Sequence, residues 1–151
     1  ISVTVLRRRH VEQGTGWNGY DAIIHEIGSF LRAYHGERMR REDRLFEPSL
    51  NGNSFALLLE PPRDGRDLDA SALARVCARI TRGLKAPLAR SLPHEVGESF
   101  GSYVGAALVN TEHGISFERI VHRALEESFA DALREKEREG QRRSVQLARV
   151  I

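Results

Sequence analysis

The pair Asn51-Gly52, followed by Asn53-Ser54-Phe55 and the apolar run Ala56-Leu57-Leu58-Leu59, constrains this chain more than any other stretch. Asn-Gly takes positive φ at both central positions of a tight turn without strain, so it marks a β-hairpin. The apolar run behind it reads as a buried strand. A hairpin joins neighbouring antiparallel strands, and that excludes an all-parallel sheet.

The remaining elements follow from periodicity. Ile1 to Leu6 alternates and is β-branched, which suits a strand. The glycine-rich segment from Gln13 to Gly19 reads as a loop. Ile23, Ile24, Ile27, Phe30 and Leu31 keep a helical period from Tyr20 to Tyr34, with Gly36 expected to close that helix. Arg44 to Phe46 is expected to pair with Phe55 to Glu60 across the turn. Tandem proline at Pro61-Pro62 then forces a surface loop. A second helix is predicted from Ala70 to Leu84, and a Gly- and Ala-rich strand from Phe100 to Val109. A long helix is predicted from Ser116 to Glu139, with Phe117, Ile120, Val121, Ala124, Phe129 and Leu133 inward, and Ser144 to Val150 reads as a last strand. The order β-α-β-β-α-β-α-β predicts an α+β sandwich, with helices packed on a mostly antiparallel central sheet.

At 151 residues the chain fits one domain, here expected to span 1–151 and to be cut from a longer polypeptide. A net charge of +2 is no nucleic-acid footprint, because a phosphate-binding face needs clustered excess charge. One cysteine, Cys77, excludes a disulfide framework and points to a reducing, cytoplasmic setting. No apolar run approaches the roughly 20 residues that span a bilayer, so no membrane contact is expected from this segment. The histidines show no metal-ligand spacing with cysteine or carboxylate. The stretch Arg134 to Glu139 reads as a solvated helix end with i,i+4 pairs.

Four blocks in this order resemble the GGDEF, or diguanylate cyclase, family. They are Gly16-Trp17 with Tyr20 to Ile27, the turn Asn51-Gly52-Asn53-Ser54-Phe55 with its strand, Val104-Gly105-Ala106-Ala107, and the helix around Ala124 to Phe129. The resemblance implies a nucleotidyl-cyclase-like sandwich and two magnesium ions held by carboxylates. Magnesium prefers hard anionic oxygen ligands and neutralises a triphosphate during phosphoryl transfer. In this chain the first-strand position falls near Thr4, the turn positions are Asn53 and Ser54, and Arg8-Arg9 stands where the family has Phe-Lys. The resemblance therefore implies a catalytically inactive, degenerate member with no metal site and no resident cofactor. In the family's guanine pocket, Glu12 replaces an asparagine while Asp21 keeps its position.

The resemblance also implies a product site. Many family members carry an Arg-x-x-Asp motif before the signature turn, where cyclic di-GMP binds. Arg40 and Asp43 match it here, and Arg79 falls on the third arginine, supplied by the next helix. Guanidinium groups grip phosphate or the Hoogsteen edge of guanine bidentately, and a carboxylate accepts from the guanine N1–H and amine. The same Arg-x-x-Asp spacing also suits a solvated ion pair. The leading expectation is a cyclic di-GMP receptor that signals to neighbouring domains of a longer chain or to a protein partner. Its alternative is an interaction or homodimerisation scaffold with no nucleotide ligand. An allosteric GTP sensor using Asp21 is a third.

Overall fold

The computed structural model describes residues 1–7, 17–48, 53–61, 68–92, 94, 100–109 and 115–148. Four strands and three helices follow in the order β1 (Ser2–Arg7), α1 (Trp17–Arg38), β2 (Arg44–Phe46), β3 (Ser54–Leu58), α2 (Ala70–Ser91), β4 (Phe100–Gly105) and α3 (Phe117–Ala148). The class is α+β. The strands form one antiparallel sheet in the order β2-β3-β1-β4. This order interleaves two split βαβ units, β1-α1-β2 around β3 and β3-α2-β4 around β1.

Strand alternation divides the sheet into two unlike faces. Val3 and Val5 of β1, with Leu57 and Val104, join Ile23, Ile27 and Leu31 of α1 and Leu73, Ile80 and Leu84 of α2 in the main core. The opposite face is small around Gly105 and carries one large buried side chain, Tyr103, whose hydroxyl donates to Glu139 at 2.6 Å. Ser2 lies across from Ala56 and Gly105, and Thr4 across from Ser54 and Tyr103. α3 packs on this side. A Cβ built on Gly105 would stand 2.0 Å from the Ser128 carbonyl oxygen and 2.4 Å from the Ala132 nitrogen. That spacing requires glycine, because both obstacles are helix backbone.

Several expectations are corrected. α1 runs through Gly36 to Arg38, since an interior glycine weakens a helix without ending it. α2 extends beyond Leu84 to Ser91, capped at its start by Asp69, which accepts from Ala72 N at 2.6 Å. β3 stops at Leu58 instead of Glu60, and β4 stops at Gly105, short of Val109, where the Ala106 N–H turns to Asp131 Oδ2 at 3.1 Å. The inward face of α3 is carried by Ser128 and Ala132, while Phe117 is 71 % exposed and Leu133 is also exposed. Ile120, Val121, Ala124 and Phe129 are half-buried, and the closest approach, at Gly105, leaves room only for the small Ser128 and Ala132. The expected last strand at Ser144–Val150 is replaced over Ser144–Ala148 by the end of α3, and its last two residues lie outside the described residues. The charged run favours the helix, with Arg134–Asp131 and Arg138–Glu135 pairs one turn apart.

Candidate functional site

The Arg-x-x-Asp segment forms the turn between α1 and β2. The turn is closed by Asp43 N donating to Arg40 O at 3.2 Å. Asp43 is only 4 % exposed, unusual for a carboxylate. Its burial is explained by main-chain partners. Oδ2 accepts from Arg40 N at 2.9 Å, and Oδ1 accepts from Glu60 N at 3.0 Å. The Asp43 carbonyl oxygen lies 3.0 Å from His35 Nε2. The Arg40 side chain reaches across the same seam, and its Nη1 donates to the carbonyl oxygens of Glu60 and Pro61, each at 3.0 Å. The pair is thus a staple that joins the end of α1 to the chain leaving β3.

Arg79 sits on the exposed side of α2. Its Nε donates to the Tyr34 hydroxyl at 2.6 Å, and its guanidinium carbon lies 5.8 Å from the centre of the Tyr34 ring. Tyr34 is buried and stacks with Phe30, so Arg79 pins α2 to α1. Arg75, Arg79 and Arg82 share a shallow concavity of about 530 Å3 on the outside of α2. Arg79 is thus linked to the Arg40–Asp43 staple through consecutive residues of α1, Tyr34 and His35.

At the signature turn, Asn51 and Gly52 lie outside the described residues. Asn53 and Ser54 are described, with Ser54 Oγ donating to Asn53 Oδ1 at 3.3 Å and Val5 N donating to Asn53 O at 2.8 Å. Phe55 is half-buried, and its ring lies against the backbone of Gly28. Thr4 faces Ser54 in register, so the two positions matched to metal carboxylates do meet across β1 and β3. Both are buried, Thr4 completely. Among the described residues no group of three or more His, Cys, Asp or Glu could hold a metal ion. Asp21 is exposed on α1, while Arg8, Arg9 and Glu12 lie outside the described residues.

Two features escaped the sequence reading. The Tyr34–Arg79 contact had no signal beyond a tyrosine at the end of an apolar helical stripe. The second is a groove of about 1260 Å3 along the outer edge of β4, between α2 and α3. Periodicity does not order the strands of a sheet, so nothing in the sequence marks β4 as the edge. Cys77 lines the groove, and burial pushes its thiol above the usual range.

Among the described residues no helix is long and apolar enough to cross a membrane. In comparisons with known proteins, no family model, curated protein or solved structure matches this chain.

Proposed function

We propose that this chain is a non-catalytic protein-interaction domain. The observation that carries the reading is the state of Asp43. A guanine-binding carboxylate needs to present its oxygens to ligand, whereas Asp43 is buried with both oxygens taken by main-chain N–H groups. Breaking those bonds to admit a ligand would give up two charge-assisted hydrogen bonds to part-buried main-chain N–H groups, at a cost of about 1–3 kcal/mol each. Catalysis is disfavoured on the same kind of ground, since Thr4 and Ser54 offer hydroxyls where magnesium chemistry wants carboxylates, and both are buried. Surface character supports a protein partner. Leu108, Val109 and Ile115 are exposed and line one depression with Ile120 of α3, and clustered exposed apolar side chains mark interaction surfaces.

The cyclic di-GMP receptor is the second reading, favoured by the three arginines of the α2 concavity. Calorimetric titration with cyclic di-GMP discriminates the two. The interaction reading expects no saturable heat, and no cyclic di-GMP formed from GTP with Mg²⁺ or Mn²⁺. Saturable binding that Arg79→Ala removes would overturn it in favour of the receptor, and product formation would overturn it in favour of an enzyme.

A further inference from the structure

Peptide groups in a strand point alternately to its two neighbours, and the pairing of β1 fixes which groups of β4 point where. Ile1 and Leu57 exchange hydrogen bonds and Val5 N donates to Asn53 O, so the odd-numbered residues of β1 bond to β3. Its even-numbered residues, Ser2, Thr4 and Leu6, therefore bond to their partners Gly105, Tyr103 and Gly101 on β4. The peptide groups of Ser102 and Val104 consequently turn away from the sheet. Among the described residues no strand pairs beyond them, because β4 ends the order β2-β3-β1-β4. The next outward group, Ala106 N–H, is capped by Asp131.

This edge runs along the floor of the groove between α2 and α3, and the two walls differ. The α2 wall is mainly apolar, with Leu73, Cys77, Ala78 and Leu88, and carries Arg82 and Lys85 among them. The α3 wall presents Glu135, Arg138, Glu139 and Arg142. Alternate side chains of a strand laid on this edge would meet one wall and then the other.

We infer that the β4 edge is a docking site for one extended segment of a partner protein, with apolar side chains alternating with polar ones. The inference rests on the interaction reading and names its surface. Strand addition of this kind draws affinity from main-chain hydrogen bonds and specificity from the pockets for alternate side chains. Here the apolar side chains lie on the α2 wall and the polar ones on α3.

Two other occupants fit less well. A second copy would carry its own α2 and α3 beside its edge, so four helices would have to be accommodated around two edges brought to the roughly 4.8 Å of a strand pair, whereas a single extended segment brings none. The chain's own residues after α3 face a topological obstacle. The crossovers through α1 and α2 place their helices on the Val3 face while stepping in opposite directions from oppositely directed strands, so they share one hand. A parallel return strand beyond β4 through α3 would have the opposite hand, and nearly all such crossovers share the right-handed sense.

The test uses the full chain and a fluorescent heptapeptide alternating valine with threonine between terminal lysines. A second version is N-methylated on the residues whose N–H groups face the edge. The unmethylated peptide is expected to bind saturably, and the methylated one about tenfold or more weakly, as loss of one or two net hydrogen bonds implies. Ser102→Pro should weaken binding to a similar degree, since it removes an outward N–H at an edge position where proline is tolerated. Alkylation of Cys77 in the groove should slow when the unmethylated peptide is bound. No binding up to about 1 mM peptide, a limit of roughly 4 kcal/mol, would overturn the inference, as would equal binding of both peptides. The methylation comparison decides the matter even if Ser102→Pro fails to fold. Self-association abolished by Ser102→Pro would assign the edge to a second copy, and binding that emerges only after removal of residues 144–151 would assign it to the chain's own end. Either result rejects a partner segment. Cyclic di-GMP binding with peptide binding intact would reject the interaction reading's exclusion of nucleotide while leaving this site standing.

Discussion

The two faces of the sheet are held by different physics. On the α1/α2 face, branched side chains fill volume: Ile23, Ile27, Leu31, Leu57, Ile80 and Leu84 are all essentially inaccessible. On the α3 face, away from the buried Tyr103, there is little volume to fill around Gly105. Gly105, Ser2, Thr4 and Ala56 let a helix approach until Ser128 and Ala132 nearly touch the strand backbone. The first face loses stability when atoms are removed, the second when they are added. A core of the first kind tolerates rearrangement better, since neighbours can move into a gap, whereas a backbone in contact with backbone cannot yield.

The sharpest break of that contrast is a pair of substitutions. Ile27→Ala should cost about 3–4 kcal/mol, the usual price of emptying a buried branched site, read as a lower urea midpoint for the whole domain. Gly105→Ala should cost about 3 kcal/mol, at the upper end of overpacking effects, but with a different signature. Its Cβ collides with the α3 backbone, so amide exchange should rise in α3 while the amides joining β1 to β3 stay protected. Gly83→Ala serves as the control. There the added Cβ meets the far end of the Phe30 ring at 2.6 Å, and a half-buried ring can turn aside. Equal losses at Gly105 and Gly83 would show that α3 is free to shift and that the close approach is not what holds it.

Asp43 sharpens the comparison from outside both faces. It tightens the seam where α1 enters β2 and β3 leaves the sheet. Asp43→Ala should cost about 2–3 kcal/mol, because it orphans the N–H groups of Arg40 and Glu60. Asp43→Asn should cost less, since its amide retains one carbonyl acceptor. A ligand-binding role without a structural one predicts unchanged melting for both variants, so thermal unfolding separates the two.

How far the sequence reveals these features depends on the signal each one leaves. α1 and α2 are legible because apolar residues recur at the helical period, as at Ile23, Ile27 and Leu31, and the β2–β3 pairing is legible from the turn residues and the apolar run after them. The face of α3 is not legible in the same way. Its contact residues, Ser128 and Ala132, look like filler, while the conspicuous Phe117 and Leu133 point to solvent. Hydropathy measures what volume-filled faces use and is blind to close approach. The candidate site was legible as a motif but not in its role. Arg40 and Asp43 are spaced as a ligand pair would be, yet the spacing does not reveal that the Glu60 and Pro61 backbone lies within reach. The β4 edge, unpaired among the described residues, had no signal because hydropathy patterning does not order the strands, and Ser144–Val150 has too weak an alternation to tell a strand from the end of a charged helix.

The smallest expected effect bears on the α3 face and runs in the opposite direction. Thr4 Oγ1 and Ser2 Oγ are buried, and neither has a hydrogen-bond partner among the described residues. A hydroxyl removed from water without compensation costs about 1–3 kcal/mol in proteins. Valine matches threonine in shape and suits a strand, so Thr4→Val should raise stability by about 1 kcal/mol. A raised urea midpoint with an unchanged slope would fit this, because the surface exposed on unfolding would be the same. A lowered midpoint would mean that Thr4 finds a partner on folding, and the α3 face would then be joined by polar contacts as well as by close approach. If the gain is found, this face is one on which small size has been kept at the expense of polar satisfaction, which the volume-filled face opposite never has to trade.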